Sequence, residues 1–309
     1  MVQRSVKSKQ SDRKIKVDVP VIAVGNLTVG GTGKTPFCIA LGLALQAQGL
    51  RPAYVVRAFK AKAKEPTKVH SQSLAAEVGD EALLLWQRTG LPVFSGRYKW
   101  QAAKKAAQEA IDVIIVDDGL QHYRLHHDLA ILLIDSQYGF GNGRLLPAGP
   151  LRELPQDVKM DMQVAVGAKN NQAHFTMQVK PAFFYALHEP QRKISFCELK
   201  DKKILAVAGI ARPERFFDTL SDLGLSFAKR IFPDHHTFNP HELAFDGVIV
   251  MTEKDAVKCQ HFDLKNIWVL AMDVMIEENL TAVILERLYG SKTLGLARMP
   301  SMQRPFALR

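Results

Sequence analysis

The sequence predicts an α/β protein in which a mostly parallel sheet is covered by helices. Short apolar runs typical of buried strands alternate along the chain with helical patterns. A glycine-rich turn joins the first of these strands to the first helix, and a later apolar run ends in two acidic residues. A β-α-β-α order of this kind places parallel strands side by side, with the connecting helices on the faces of the sheet.

The first strand, the first helix and the turn between them carry the most informative motif. Segment 21–36 reads VIAVGNLTVGGTGKTP, and we expect a strand over residues 19–24 and a helix over residues 36–48. A glycine-rich turn in this position is typical of a P-loop, whose backbone N–H groups surround a triphosphate at the positive end of the helix. The motif therefore predicts a P-loop NTPase-like fold that binds a nucleotide.

Individual positions of this loop have predicted roles. Lys34 is expected to reach the β- and γ-phosphates and to act in catalysis, and Thr35 is expected to ligate Mg²⁺. The strict motif has glycine at position 28, where this chain has Thr28. The predicted nucleotide-binding residues of the loop are Thr28, Val29, Gly30, Gly31, Thr32, Gly33, Lys34 and Thr35.

The elements that follow in the first half are predicted from apolar spacing. Strands are expected over residues 53–56, 112–116 and 129–134, and helices over residues 75–88 and 98–110. Residues 57–73 are basic and polar and predict an exposed loop. The run 139–155 is too rich in glycine and proline for regular structure, and loops of this length inside compact domains are usually functional.

The second half repeats the alternation after a weakly patterned stretch. Residues 160–200 are predicted to be β-rich, and residues 204–223 to form a strand–loop–helix unit that opens with a strand over 203–208. Further strands are expected over residues 247–251 and 267–271. The length of the chain allows about two domains, each with its own core.

These patterns predict five segments. They are a basic N-terminal tail (1–18), a P-loop nucleotide-binding lobe (19–160), a β-rich connecting segment (161–200), a second, smaller α/β lobe that contributes to an active-site cleft (201–290) and a C-terminal tail (291–309).

Composition narrows the class of protein and of partner. The formal net charge of +10 suits an anionic partner such as a membrane surface or a phosphorylated substrate, and no aromatic-plus-basic signature favours nucleic acid. The three cysteines, Cys38, Cys197 and Cys259, form no metal or disulfide pattern and fit a reducing compartment. No apolar stretch of about 18 residues or more predicts a transmembrane helix, and residues 1–18 lack the apolar core of a signal peptide.

A second nucleotide signal is DVIIVDD at residues 112–118, an apolar strand that ends in Asp117 and Asp118. Acidic residues at the carboxyl end of such a strand are typical of a Walker B element, so both are candidate Mg²⁺ ligands. The pattern is also typical of an ordinary strand end, but its pairing with the P-loop strengthens it. After Gly119 and Leu120 come Gln121 and His122, either as phosphate-binding or water-positioning groups or as part of a polar loop.

Other candidates have two interpretations from the residues alone. Asp80 is either the first residue of a helix with ordinary acidic capping or a general base. His235 and His236, in FPDHHTF, either shuttle a proton or belong to a polar turn. Arg152 and Glu153, in the Gly/Pro-rich run, either contact phosphate or are solvated.

Taken together, these segments resemble the tetraacyldisaccharide 4'-kinase family. The matching stretches are VGNLTVGGTGKTP (24–36), EVGDEALLL (77–85), DDGLQHYRL (117–125), FGNGRLLPAGPLRE (140–153), AGIARPERFF (208–217), DHH (234–236) and MTEKDAVKC (251–259). The resemblance implies transfer of the γ-phosphate of ATP, with Mg²⁺, to the 4'-hydroxyl of a lipid A disaccharide precursor. It also implies an anionic glycolipid substrate and a peripheral location at the cytoplasmic face of the bacterial inner membrane.

The resemblance also implies roles for single residues. Asp80 matches the catalytic base, and His235 matches its dyad partner, preferred over His236 because it directly follows the Asp of the motif. Gln121 and Arg152 match nucleotide-site positions, and Glu153 matches a position on the metal side. Lys34, Thr35, Asp117 and Asp118 match the P-loop and Walker B residues.

Two departures from the family pattern keep alternatives open. The family carries an amphipathic or membrane-inserted N-terminal helix, where this chain has about 18 basic and polar residues. A Ser-Arg-Gly-Tyr-Gly-Gly stretch of the family is VRAFKA at residues 56–61 here, without its three glycines. The alternatives are a catalytically weakened nucleotide-binding or regulatory member, and a P-loop kinase with another acceptor. No NKxD-type motif favours a GTPase.

Overall fold

A computed structural model describes residues 14–58, 65–168 and 173–290. Within these ranges the strands form a single sheet with the order β11-β10-β12-β13-β8-β7-β6-β1-β5-β2-β4-β3, and β9 pairs with β8. The strands are β1 Val21–Gly25, β2 Pro52–Arg57, β3 Thr67–Lys68, β4 Val93–Gly96, β5 Val113–Val116, β6 Leu129–Asp135, β7 Met162–Val166, β8 Phe175–Ala186, β9 Glu189–Ile194, β10 Ile204–Ala208, β11 Phe227–Ile231, β12 Val248–Thr252 and β13 Ile267–Ile276. The helices are α1 Lys34–Ala47, α2 Ala75–Val78, α3 Asp80–Thr89, α4 Lys99–Ala106, α5 Pro213–Asp222, α6 Glu253–Ala256 and α7 Glu278–Tyr289.

Strand pairing confirms the predicted mostly parallel α/β sheet. In the first half β4, β2, β5, β1, β6, β7 and β8 run parallel, and in the second half β11, β10, β12 and β13 do the same. The halves meet along the antiparallel pair β8–β13, whose register runs from Trp268 opposite Ala186 to Ile276 opposite Met177. Residues 160–200 contain the strands β7, β8 and β9, and β8 pairs with β13 of the second half.

Parallel strands bring the motif loops to one edge of the sheet. β1, β2, β4 and β5 all end at this edge, so the loops that follow them lie side by side, as expected for a ligand crevice in an α/β sheet. In the second half β10 and β12 are also parallel, and they end at Ala208 and Thr252. These strand ends position the candidate active site.

The buried residues form separate hydrophobic clusters in the two halves of the sheet. On one face α1, α3 and α7 pack over the central strands, in a cluster that includes Ile22, Phe37 and Leu85. In the second half, Phe216, Phe217 and Leu220 of α5 pack against β10 and fix that helix to the sheet. Both halves therefore offer rigid supports to the loops at their strand ends.

Several elements differ from the predictions. The helix predicted over residues 75–88 is interrupted at Gly79, which has φ 91° and separates α2 from α3. The exposed loop predicted over 57–73 is wrong at β3, an edge strand antiparallel to β4, and residues 59–64 lie outside the described residues. The strands β4 and β11 and the helix α7 were not predicted.

Both predicted tails fall largely or wholly outside the structure. Residues 1–13 and 291–309 are outside the described residues, as are Phe59, Lys60 and Ala61 of the segment that departs from the family pattern. Across the part of the chain that is described, no helix is both long enough and apolar enough to cross a membrane.

Candidate active site

The P-loop begins at the end of β1 and continues into α1. Gly33 immediately precedes the helix with φ 78°, a backbone conformation that L side chains rarely adopt. Lys34 Nζ donates to Asn26 Oδ1 at 3.0 Å and lies 3.6 Å from Asp118 Oδ1. Thr28, which replaces the glycine of the strict motif, is buried and accepts hydrogen bonds from Asn26 Nδ2 through its carbonyl O and Oγ1. The lysine therefore extends from the loop towards the Walker B acids.

The Gly/Pro-rich run 139–155 is joined to this loop by backbone hydrogen bonds. Val29 N donates to Pro150 O at 2.9 Å, and Arg152 N donates to Leu27 O at 2.7 Å. The Arg152 side chain then reaches Asp118 with two parallel hydrogen bonds of 3.1 and 3.0 Å. The run thus delivers an arginine to the nucleotide-binding loop.

Asn26 is a functional candidate that the sequence analysis missed. Its Oδ1 accepts from both Lys34 Nζ and Arg152 Nη2, and its carbonyl O accepts from Gln121 Nε2 at 2.9 Å. It is fully buried. A polar residue directly after a buried strand, at the edge where other motifs meet, was the available signal. Asn26 aligns three of the predicted site residues.

The Walker B acids differ in environment. Thr35 Oγ1 donates to Asp117 Oδ2 at 2.9 Å, and burial raises the pKa of Asp117 to about 6, with a further contribution from the negative charge of Glu81. Asp118 has φ 51°. Burial acts to raise the pKa of Asp118, but Lys34 and the Arg152 hydrogen bond outweigh it and hold the pKa well below its usual value. Asp118 is therefore the ionised partner of the basic side chains.

Lys99, the first residue of α4, binds the backbone of both acids, and the sequence analysis did not predict this role. It is 4% exposed, and its Nζ donates to the carbonyl O of Asp117 at 2.6 Å and of Asp118 at 2.5 Å. Burial lowers the pKa of Lys99, and the charges of Asp118 and Asp117 offset only part of that effect. The buried ammonium holds the strained turn at Asp118, because it binds both carbonyls of that turn.

The predicted base and its partner are in direct contact. Asp80 is the first residue of α3, and its Oδ2 lies 2.9 Å from His235 Nδ1. His235 has φ 60°, in the left-handed region. Burial acts to raise the pKa of Asp80, but the hydrogen bond to His235 and the positive charge of Lys254 outweigh it and lower the pKa. Asp80 is therefore ionised at neutral pH, as a general base requires.

The ammonium group of Lys254, from the second half, lies beside this pair. Lys254 Nζ lies 3.4 Å from His235 Nε2, 3.3 Å from Asp234 Oδ1 and 3.5 Å from Glu81 Oε1. An ammonium donates only, so a hydrogen bond from Lys254 to Nε2 would direct the proton of the ring to Nδ1, towards Asp80. MTEKDAVKC, which matched the family in the sequence, supplies Lys254 and thus takes part in the site.

A cavity of about 330 Å³ lies between the P-loop, α3 and the second half. Its polar wall contains P-loop residues from Gly31 to Thr35, and its apolar wall includes Ile39, Leu84 and Met272. An apolar cavity that ends on a phosphate-binding loop has the composition of a small-ligand site. The two halves of the chain both line it.

The residues present fit a nucleotide and a divalent cation. Asp117 Oδ1 is buried without a hydrogen-bond partner among the described residues, while Oδ2 faces Thr35. Apart from its chain neighbours, no atom lies within 4 Å of the position that a Cβ would take on Gly31, so the loop is open there. The described residues contain no group of three or more acidic, His or Cys side chains suited to a metal. A cation would therefore also use phosphate oxygens and water, as Mg²⁺ commonly does.

The other predicted residues lie nearby with different partners. Gln121 is fixed to Asn26 O. Glu153 accepts a hydrogen bond from the Tyr123 hydroxyl through Oε1. Burial lowers the pKa of His122 to about 4, so its imidazole is neutral at pH 7 and offers no positive charge to a phosphate.

Sequence comparison identifies one family. The profile of Tetraacyldisaccharide-1-P 4'-kinase matches residues 1–289. A protein named tetraacyldisaccharide 4'-kinase from Methylobacillus flagellatus is 42% identical over 281 residues, 89% of this chain and 84% of the relative. A protein of the same name from Dechloromonas aromatica is 42% identical over 283 residues, 88% of this chain and 85% of the relative.

A solved structure agrees with the sequence comparison. The crystal structure of apo-form LpxK from Aquifex aeolicus in complex with ATP superposes with a TM-score of 0.74 and 29% identity. The match covers 90% of this chain and 91% of that protein.

Proposed function

Since this chain belongs to the tetraacyldisaccharide-1-P 4'-kinase family and is therefore an ATP-dependent kinase for a lipid A precursor, we propose that Asp80 is its general base. The contact between Asp80 Oδ2 and His235 Nδ1, at 2.9 Å, carries this proposal. The acceptor is the 4'-hydroxyl of a tetraacyldisaccharide 1-phosphate. Neither the regulatory alternative nor another acceptor receives support from the family match.

Proton transfer follows from the geometry of the pair. Asp80 accepts the hydroxyl proton as the sugar oxygen forms its bond to the γ-phosphorus, and the bond from that phosphorus to the bridging oxygen of ADP breaks. His235, held from its other side by Lys254, orients the carboxylate that accepts the proton. A positioned base of this kind contributes about 10²–10⁴-fold in rate.

Catalysis also requires that the negative charge of the phosphate groups is neutralised. Lys34 and Arg152 supply positive charge beside the P-loop, and Asn26 aligns both through one side-chain oxygen. In phosphoryl transfer, positioning and electrostatic stabilisation provide most of the catalysis. We assign ATP binding to residues 28–35 with Gln121 and Arg152, and phosphoryl stabilisation to Lys34.

Mg²⁺ would be held by Thr35 and Asp117, with Asp118 and Glu153 on the same side. When bound, the ion would neutralise phosphate charge. The unpartnered Oδ1 of Asp117 supports this assignment. Lys99 keeps the two acids in place from the protein side.

The acceptor is an acylated glycolipid, so we propose that the protein works peripherally at the cytoplasmic face of the inner membrane. A docking cluster formed by Arg97, Tyr98, Trp100 and Arg124 supports this. Tyr98 is 45% exposed and stacks on Trp100, while the Arg124 guanidinium lies 4.5 Å from the Trp100 ring centroid. Aromatic and basic side chains of this kind suit an anionic lipid interface.

We also retain the division into a P-loop lobe (19–160), a connecting segment (161–200) and a second lobe (201–290), as a proposal. The cavity lined by both halves supports a cleft between two lobes. The long pair β8–β13 is the structural connection across which they would move.

The decisive experiment is transfer of labelled γ-phosphate from ATP to a tetraacyldisaccharide 1-phosphate in detergent micelles. We expect wild-type protein to label the lipid, and Asp80→Asn to lose about 10²–10⁴-fold in kcat while it still binds ATP. Asp246→Asn removes an exposed carboxyl that precedes β12 and lies 3.9 Å from Lys203 Nζ; it is the matched control and should retain wild-type turnover. An Asp80→Asn variant with wild-type kcat would rule out the base assignment.

A further inference from the structure

Two arginines of the second half, Arg212 and Arg215, lie against the P-loop and have no role in the mechanism above. They belong to the motif AGIARPERFF at residues 208–217. Arg212 directly precedes α5, and Arg215 is the third residue of that helix. Both line the cavity together with Gly31.

The arginines contact the loop through its carbonyl groups. Arg212 Nη2 lies 3.4 Å from Val29 O, and Arg215 Nη1 lies 3.4 Å from Gly31 O. These distances exceed the usual value of about 2.9–3.0 Å for an N–H···O bond, so the contacts are weak. The approach is nevertheless close, since a Cβ added to Gly30 would lie 2.7 Å from Arg212 Nε. A stronger acceptor in the cavity would replace these carbonyls.

Asp135, at the end of β6, contacts both guanidinium groups beside the loop. Its Oδ2 accepts from Arg215 and, at 3.5 Å, from Arg212, and its Oδ1 accepts the N–H groups of Gln137 and Tyr138. It is 3% exposed. The two guanidinium groups also lie 5.0 and 5.3 Å from the Tyr138 ring centroid. Since a single carboxylate faces two cations, this group of three side chains retains a positive charge beside the P-loop.

We propose that Arg212 and Arg215 form an arginine clamp, through which the second half binds the polyphosphate of the nucleotide held by the P-loop. The proposal rests on the proposed function, in that the nucleotide is ATP. Guanidinium groups offer paired N–H donors that match phosphate oxygens, and they stay charged at every relevant pH. Because Phe216 and Phe217 fix α5 in the core of the second half, the clamp would connect the nucleotide to both halves.

The role proposed for Asp135 gives the clamp a distinctive signature. If the arginines bind phosphate, Asp135 is a competing anion, and Asp135→Asn should keep or raise the affinity for ATP. The amide oxygen of asparagine can still accept the N–H groups of Gln137 and Tyr138. If the three residues are only a structural ion pair, Asp135→Asn should weaken ATP binding as much as removal of an arginine does.

Calorimetric titration with a non-hydrolysable ATP analogue, and separately with AMP, tests the clamp without requiring turnover. We expect Arg215→Ala and Arg212→Ala to bind the analogue about tenfold more weakly and AMP unchanged, since a lost charge-assisted hydrogen bond has about this effect. Arg192→Ala removes an exposed arginine that lies over Trp268 and should leave both affinities unchanged. If the alanine variant does not fold, the affinity of Arg215→Gln for the analogue tests the clamp, because glutamine is polar but carries no charge.

The outcomes separate this proposal from the proposed function. Wild-type affinity for the analogue in Arg215→Gln and Arg212→Ala, or equal losses for the analogue and AMP, overturns the clamp. Failure of wild-type protein to bind the analogue overturns both. Selective loss of analogue affinity in the arginine variants, without lipid phosphorylation by wild-type protein, supports the clamp and contradicts only the lipid acceptor.

Discussion

The proposed phosphate site and the proposed base site are built in different ways. Lys34 begins α1, and Asp117, Asp118 and Arg152 lie in loops of the first half beside it. The base site instead joins the first residue of α3 to His235, which is 155 positions further along the chain and follows β11. The nucleotide contacts assigned to the P-loop, Gln121 and Arg152 therefore lie within one half, and only the proposed arginine clamp reaches the nucleotide from the other. The proposed acceptance of a proton by Asp80 depends wholly on how the halves fit together.

A buried ion pair close to Asp80 connects the two halves of the chain. Arg88, on the same helix as Asp80, contacts Glu253 of α6, and the side chains are 12% and 10% exposed. Arg88 Nη2 also donates to Met272 O at 3.3 Å. Burial raises the pKa of Glu253 more than the charge of Arg88 lowers it, so the carboxylate depends on its partner to stay ionised in the core.

Removal of one member of this pair is the strongest way to separate the two sites. Arg88→Met leaves the Glu253 carboxylate buried without its cation, and we expect the free energy of unfolding to fall by about 3–5 kcal/mol. In the fraction that remains folded, turnover should fall more than ATP affinity, because the joint that supports the base is loosened. Urea unfolding, ATP titration and phosphate transfer on the same preparation measure all three.

The double variant Arg88→Met/Glu253→Leu is the control that separates the effect of an unpaired buried charge from the effect of altered packing. Apolar replacement of a buried ion pair is often neutral, so most of the lost stability should return. An Arg88→Met protein with wild-type stability, or with equal losses of ATP affinity and turnover, would contradict a joint that acts mainly on the proposed base site.

A smaller change acts on the base directly. His235→Ala removes the hydrogen bond that helps to lower the pKa of Asp80, while burial, which raises that pKa, remains. Because the base works deprotonated, the acid limb of the kcat/KM profile should move to higher pH, and kcat at neutral pH should fall by about 10–100-fold. Lys254 and Lys258 still act on Asp80, so the shift is partial.

His236→Ala is the matched control for this profile. His236 Nε2 contacts Glu242 Oε2 at 3.0 Å. Its removal should leave the acid limb in place. An acid limb that is the same in wild type and His235→Ala would contradict the pairing of His235 with the base.

The contrast between the sites also explains what the sequence could predict. Lys34, Thr35 and the two acids lie in short motifs next to apolar strands, and parallel pairing alone brings such strand ends together. No local pattern relates Asp80 to His235, since both fit ordinary turns and caps, and their pairing was expected only from the family resemblance. The structure brings them into contact.

Asn26 and Lys99 were missed because their roles exist only after folding. Lysine side chains are usually exposed, but the first lysine of α4 is buried beneath the turn that follows β5. β4 was missed because its sequence, VFSG, has two apolar residues before Ser95 and Gly96, whereas the equally short β5 is apolar throughout. Spacing along the chain carries no signal for Lys99, whereas the position of Asn26 directly after a buried strand was an available signal.

The smallest predicted effect concerns the docking cluster, which lies wholly in the first half, with the phosphate site. Arg97 is 5.6 Å from the Tyr98 ring centroid, and Arg124 lies over Trp100. Each basic residue at an anionic surface contributes about 1 kcal/mol, so Arg97→Ala and Arg124→Ala should each weaken binding to anionic vesicles about fivefold. Sedimentation with anionic and zwitterionic vesicles measures this binding, and the difference between the two kinds of vesicle should shrink at high salt.

Lys229→Ala is the matched control for this surface. Lys229 lies on β11 at the far end of the sheet and over an aromatic ring, and the variant should bind as wild type does. Equal losses in Lys229→Ala would mean that net charge, and not a first-half surface, directs the protein to lipid.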